Sequence, residues 1–470
     1  MFCIPPPPAT FYTCPGDGHS IPRSVHLARL AGAYAKCHQC PHRNDHGLAV
    51  LNPFSGHGAP PQPAQSGWIA APDGIRGRYL NDLTRQDAVR WGSALARLLW
   101  ERHPLVGRRW TELPADEGAA RPVARRSLTV VVGYDERPSS PDLAIGAVTG
   151  LRQSGCRVLD LGVVSKAEWS FVVQHLSADA GMMITGAGRD PSWTGFDIVG
   201  AAGEFLSATT DLPELISQAR FTAGRLTRSA GSVATYAAAK PYMLHLRRQF
   251  HALRPLHVTC VTPSAVIGRS LQRTFPELPC RLHLDVGSQW QAPGPEHPAL
   301  ESRMAAAIVG SGGDVGMWIG EDGQTCAVFD ETGRRAAVEN FIPWLARSTV
   351  EDRPPEADRV FLAAGQAPPL NEDVWNVRPV SQLDAADSLP RSDRPWWLEL
   401  PEASLAEFRQ SLRRCQAAAG MDPSRRFWLG GAVPTCDAIV TLAAVLRALS
   451  WSDASLSQRL ADDHPPRRAA

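Results

Sequence analysis

The chain has 470 residues, 48 basic and 47 acidic side chains and a net charge of +1. That balance leaves no electrostatic footprint for nucleic acid or an anionic membrane surface. At 44% hydrophobic and 20% charged residues, the composition is that of a globular protein, and the length predicts roughly three domains of ~150 residues.

No apolar run reaches the ~18 residues of a spanning helix. The start, Met1-Phe2-Cys3-Ile4 followed by Pro5 to Pro8, lacks the basic and apolar regions of a signal peptide. A cytoplasmic protein is expected, with no nucleic-acid or membrane partner.

Four of the 10 cysteines, Cys3, Cys14, Cys37 and Cys40, fall in the first 40 residues. Residues 1–50 read as a small module in which Cys14, His19, Cys37 and Cys40 hold a structural zinc. His42 is the alternative fourth ligand. Zinc takes four thiolate or imidazole ligands in a tetrahedron, and a CxxC turn supplies two of them. Between the pairs, apolar residues at Val25, Leu27, Leu30, Ala31 and Tyr34 predict a helix over 21–34. A Pro-rich extension with incidental thiols and a redox CxxC are the competing readings. The other six cysteines, scattered singly through predicted elements, read as small buried hydrophobes. Residues 51–66, rich in Gly, Pro, Gln and Ser, read as a linker.

From residue 67 onward strands alternate with helices. The runs at 128–132, 157–161 and 181–184 are apolar and of strand length, with helices predicted over 143–154 and 169–176. Buried parallel strands look like this, because helices cover both faces of their sheet. The pattern returns with strands at 257–261, 281–285, 315–319, 360–363, 396–400 and 427–429. Helices are predicted near 269–275, 300–309, 405–418 and 439–449.

The segment Thr185-Gly186-Ala187-Gly188-Arg189-Asp190-Pro191-Ser192-Trp193-Thr194-Gly195-Phe196 resembles the phosphoserine loop of the α-D-phosphohexomutases, the phosphoglucomutase and phosphomannomutase family. That loop usually reads T-A-S-H-N-P-P-x-Y-N-G-F. Gly74-Ile75-Arg76-Gly77 resembles the family's N-terminal G-I-R-G segment. Val132-Gly133-Tyr134-Asp135-Glu136-Arg137-Pro138-Ser139-Ser140 resembles V-G-x-D-x-R-x-S-S. The resemblance spans about residues 67–450. It implies an α/β fold of three consecutive α/β/α domains with mixed, mostly parallel sheets, at 67–205, 206–335 and 336–452. The polar tail 453–470 is expected to be too short for the family's fourth domain, so that domain is expected to be absent.

The family's chemistry is replaced at most of the matching positions. The serine falls on Ala187, the histidine on Gly188 and the asparagine on Arg189. The metal loop D-G-D-x-D-R falls on Gly320-Glu321-Asp322-Gly323-Gln324-Thr325, which keeps only Asp322 at a ligand position, and Mg²⁺ is not expected. The sugar loop G-G-E-x-S-G-H falls on Gly430, Gly431 and Ala432 onward, without the glutamate.

The resemblance therefore implies a phosphohexomutase-like protein of carbohydrate metabolism that has lost catalysis and has a regulatory, scaffold or sugar-phosphate-binding role, with a hexose phosphate or a protein as its partner. An active mutase with a rewired site and a zinc-dependent partner-binding protein are the alternatives. Arg76, Arg137 and Arg189 are the candidate anion-binding residues.

Overall fold

The computed structural model describes residues 11–16, 18–31, 36, 40–42, 68–71, 74–102, 128–186, 188–204, 206, 211–220, 230–291, 294, 296–351, 360–365, 370, 374–382, 392–401, 403–430 and 434–462. Among these residues there are three larger sheets and one two-stranded ribbon. No described helix is long and apolar enough to cross a membrane.

The first sheet has seven strands in the order Ile69–Ala71, Gly74–Arg78, Trp193–Val199, Ala180–Ile184, Thr129–Tyr134, Arg157–Val163, Val233–Thr235. The last four run parallel and the first three are antiparallel additions. Helices Arg85–Arg102, Ser140–Gln153 and Asp211–Arg220 cover one face. There Trp91, Leu95, Leu143 and Leu215 bury themselves against Val130, Val132 and Val158. Helix Lys166–His175 covers the other face, with Trp169 and Val172 against Val131 and Met183.

The first sheet reaches past residue 205, where the sequence placed a boundary. Helix Asp211–Arg220 packs on Arg85–Arg102 and pairs Asp211 and Glu214 with Arg102. Val233–Thr235 adds to the edge beside Arg157–Val163. Val233–Thr235 is only three exposed residues, and the apolar stripe Leu212, Leu215 and Ala219 of the helix does not say which sheet it covers, so sequence alone did not tie them to this sheet.

The second sheet orders Arg281–Val286, His257–Thr262, Val315–Ile319 and Cys326–Phe329. The third orders Asn376–Pro379, Trp396–Leu400, Val360–Ala364, Ala419–Met421, Phe427–Leu429 and Thr435–Cys436. In both, parallel strands are extended by antiparallel ones at one edge. One continuous core serves both sheets and centres on helix Ala438–Ser450, where Leu442, Val445 and Leu446 are fully buried. Burying each such side chain contributes about 1.5–3 kcal/mol.

Local sequence explains several boundaries. Ser404 and Glu407 form a reciprocal capping box that starts helix Leu405–Arg414, a device worth about 1 kcal/mol. That helix ends four residues before the predicted 418. Gln416 turns the chain at φ 47°, and Ala419–Met421 leaves as a strand paired with Phe361–Ala363. Tertiary pairing overrides the helical preference of the alanines there. Within 453–470, read as a polar tail, helix Leu456–Asp462 forms and Leu456 is fully buried.

In the N-terminal segment, strands Phe11–Thr13 and Ser20–Pro22 pair and lead into helix Arg23–Ala31.

Candidate functional site

Strand Thr129–Tyr134 delivers Asp135 and Arg137 to the carboxyl end of the first sheet, where ligands of α/β folds approach. Asp135 organises the loop around it. Its Oδ1 accepts from the Arg137 backbone N–H at 3.1 Å and from Ser140 Oγ at 2.5 Å. Its Oδ2 accepts from the Gly186 N–H at 3.1 Å.

Arg137 is buried and fastens the loop that follows strand Ala180–Ile184. Nη1 donates to the carbonyls of Asp190 and Trp193, each at 2.9 Å. Nη2 donates to the Arg189 carbonyl at 2.9 Å and to Glu321 Oε1 at 2.5 Å. The Gly188 N–H also donates to Glu321 Oε1, at 3.0 Å. Gly188 sits at φ +77°, a conformation glycine adopts at little cost. Ala187 itself lies outside the described residues.

Between this loop and the second sheet lies a cleft of about 670 Å³. Its walls include Arg189, Asp190, Gln289, Arg303, Trp318 and Glu321. Two serine bonds hold the Asp190 carboxyl below the usual carboxylate range, from the Ser192 side chain first and its backbone N–H second. The Arg189 guanidinium lies 5.0 Å from the centre of the Trp193 ring, a cation–π distance.

The three arginines singled out from sequence have different surroundings. Arg189 lines the cleft. Arg137 is committed to carbonyls and to Glu321. Arg76 is buried in strand Gly74–Arg78, pairs with Asp197 and donates to the Ile75 carbonyl at 3.0 Å. Lys166 Nζ closes on the other oxygen of Asp197 at 2.7 Å.

The turn 320–325 forms the opposite wall. Asp322 is satisfied within the turn: Oδ1 accepts from the N–H groups of Gln324 and Thr325, each at 2.9 Å, and Oδ2 accepts from Thr325 Oγ1 at 2.8 Å. Gln324 Oε1 accepts from Arg426 Nη1 of the third sheet at 3.0 Å. Among the described residues no three His, Cys, Asp or Glu side chains gather as a metal site requires.

Gly323, at φ +72°, turns the chain where it abuts Ser165 and Ala167. Its carbonyl accepts from the Ala438 N–H at 2.9 Å. Here three sheets meet around buried acids. Asp437 caps helix Ala438–Ser450 through the N–H groups of Ile439 and Val440, and accepts from Tyr242 Oη at 2.9 Å. Burial pushes the Asp437 carboxyl up to about 6 despite these donors. Glu168 is pushed up to about 7 by burial and then by Asp437, with Arg269 and Arg273 pulling the other way. No motif announces this cluster, because burial is its cause.

Of the sugar-loop positions, Gly430 is described and packs against the backbone of Ala417 and Ala418. Gly431 and Ala432 lie outside the described residues. Of the residues expected to hold zinc, Cys14 and Cys40 are buried, and His19 and His42 are exposed. Arg29 Nη1 lies 3.2 Å from Cys14 Sγ. Cys37 lies outside the described residues.

Residues 116–221 match the model for phosphoglucomutase/phosphomannomutase, alpha/beta/alpha domain I. A phosphomannomutase/phosphoglucomutase of Pseudomonas aeruginosa is 28% identical over 244 residues, 51% of this chain and 52% of that protein. A Xanthomonas campestris protein named phosphohexose mutases is 27% identical over 290 residues, 60% of this chain and 58% of its own. The chain thus spans about half the length of the curated relatives it matches.

Two solved structures share the fold. A phosphoglucomutase/phosphomannomutase family protein of Burkholderia thailandensis has a TM-score of 0.63 at 19% identity, covering 84% of this chain and 80% of that one. A putative phosphomannomutase of Thermus thermophilus has a TM-score of 0.61 at 15% identity, covering 84% and 83%.

Proposed function

Since the chain belongs to the α-D-phosphohexomutase superfamily, we propose that it is a non-catalytic member that holds a hexose phosphate in the cleft without transferring its phosphoryl group. One observation carries the reading. The transfer positions lack their oxygen donors, and the donors that remain are engaged within the protein. Alanine stands where the family's serine falls, and Gly320 and Gln324 stand where carboxylates fall. Asp322 spends both oxygens inside its own turn.

Mg²⁺ does not fit this donor set. A hard cation seeks several free oxygens in octahedral array. Here the Asp322 oxygens face hydrogen-bond donors, and Gln324 Oε1 faces a guanidinium. Phosphoryl transfer rests on positioning and charge neutralisation, so no step is assigned through the metal. The chain's own residues support binding. The cleft has the volume of a small-molecule site, with Arg189 and Arg303 as cations and Gln289 and Ser288 as hydroxyl partners.

A coupled mutase assay with Mg²⁺ and bisphosphorylated activator tests the proposal. Neither wild type nor Ala187→Ser should turn over a hexose phosphate above background. Turnover above ~1 s⁻¹, inside the usual enzyme range, would establish the alternative that the relatives' names favour, an active mutase with a rewired site.

The N-terminal segment supports a second, independent proposal: a structural zinc held by Cys14, Cys37, Cys40 and either His19 or His42. What supports it is that Cys14 and Cys40 are both buried, in a segment whose described residues bury few other apolar side chains. A module below ~40 residues needs such a staple. Protein prepared without chelator should carry about one zinc per chain, lost in Cys37→Ser/Cys40→Ser. Metal analysis finding none would remove this proposal.

A further inference from the structure

The cleft already contains an anion, and it is the protein's own. Glu321 Oε1 lies 2.5 Å from Arg137 Nη2 and 3.0 Å from the Gly188 N–H. Both donors are fixed in advance. The Arg137 side chain is 7% exposed, and its remaining bonds run to the carbonyls of Arg189, Asp190 and Trp193. The Gly188 amide is set by a turn at φ +77°. A rigid guanidinium beside a backbone N–H is the arrangement by which proteins hold oxyanions.

We infer that Glu321 is the internal occupant of an oxyanion site formed by Arg137 and Gly188, so that a phosphate or phosphate monoester enters only by displacing it. The inference deepens the binding role proposed for the cleft and rests on that reading. Glu321 comes from the turn 320–325 beyond the second sheet's Val315–Ile319, whereas both donors belong to the first sheet's loops. Tethering makes the carboxylate a competitor at high effective concentration. It also makes the contact a clasp across the cleft, and anion entry releases the clasp. Arg189 and Arg303 on the same walls then become partners for the incoming charge.

The test uses the full chain and inorganic phosphate as probe, titrated calorimetrically at fixed ionic strength. Wild type, Glu321→Gln, Glu321→Ala and Asp190→Asn are compared. Both Glu321 variants should bind phosphate about 10- to 100-fold tighter than wild type, the scale of a freed pair of charge-assisted bonds. Asp190→Asn removes an exposed carboxylate from the same cleft and should change affinity by less than about 5-fold.

Glu321→Gln keeps the shape of the side chain, so the comparison survives if the alanine variant folds poorly. Equal affinities in wild type and Glu321→Gln would overturn the inference. So would an equal gain in Asp190→Asn, which would reduce the effect to net charge. Mutase turnover in wild type would instead defeat the non-catalytic reading and leave this binding comparison standing.

Discussion

The walls of the cleft and the junction at Gly323 treat their carboxylates differently. In and beside the cleft the acids are matched by donors at close range: Asp135 by two N–H groups and a hydroxyl, Asp190 by Ser192, Glu321 by a guanidinium and an amide, Asp322 by its own turn. At the junction Asp437 also accepts from two N–H groups and a hydroxyl, yet its deeper burial outweighs them, and Glu168 is raised by burial and by Asp437 itself. A matched buried charge fastens a structure and is costly to break. An under-matched one takes up a proton instead. The same few residues of chain, 320–325, touch both settings.

Breaking the matched side should have the larger effect. Arg137→Met removes four side-chain hydrogen bonds from a buried position and strands the carbonyls of Arg189, Asp190 and Trp193. The expected loss is about 3–5 kcal/mol, read as a lower urea midpoint. A loss below about 1 kcal/mol would mean the guanidinium is dispensable and the comparison misplaced.

Easing the under-matched side should have a smaller and pH-dependent effect. The folded Glu168 carboxyl titrates at about 7 against an ordinary 4.5. Between those values the folded state binds more protons than the unfolded state, so stability falls as pH rises. The full penalty is present above about 7. Glu168→Gln carries no such proton. Its stability relative to wild type should therefore improve by on the order of 2–3 kcal/mol between pH 5 and pH 8. Urea unfolding at the two pH values gives the difference, and a variant whose offset is the same at both would contradict the burial of that charge.

Sequence revealed the strands buried on both faces, such as Thr129–Tyr134 and Val315–Ile319, because their apolar runs need no partner to be recognised. Most of the antiparallel additions escaped it, with Phe427–Leu429 the exception. Trp193–Val199 mixes Thr, Gly and Asp among its apolar residues, and its identity as a strand comes from pairing with Gly74–Arg78. The same division holds in the site. Motif order located Gly188, Arg189 and Asp322, all of which line one cleft. It could not show Glu321 meeting Arg137, since that contact depends on how two sheets are placed against each other. Arg303 and Gln289 belong to no motif and became visible only as walls. The acids at the junction were unreadable for a related reason: a glutamate in a helix looks exposed until the neighbouring units are packed over it.

The turn 320–325 is only six residues long, yet three of its residues are held from outside the second sheet. Glu321 leans on the first, Gly323 receives the Ala438 amide that opens the central helix of the shared core, and Gln324 takes Arg426 of the third. It works as a keystone. In an arch, no neighbour of the keystone can shift without the thrust passing to the others. Widening the cleft at Glu321 therefore loads the Ala438 and Arg426 contacts at the same time, and the mouth of the cleft and the core of the far half of the molecule share one mechanical fate.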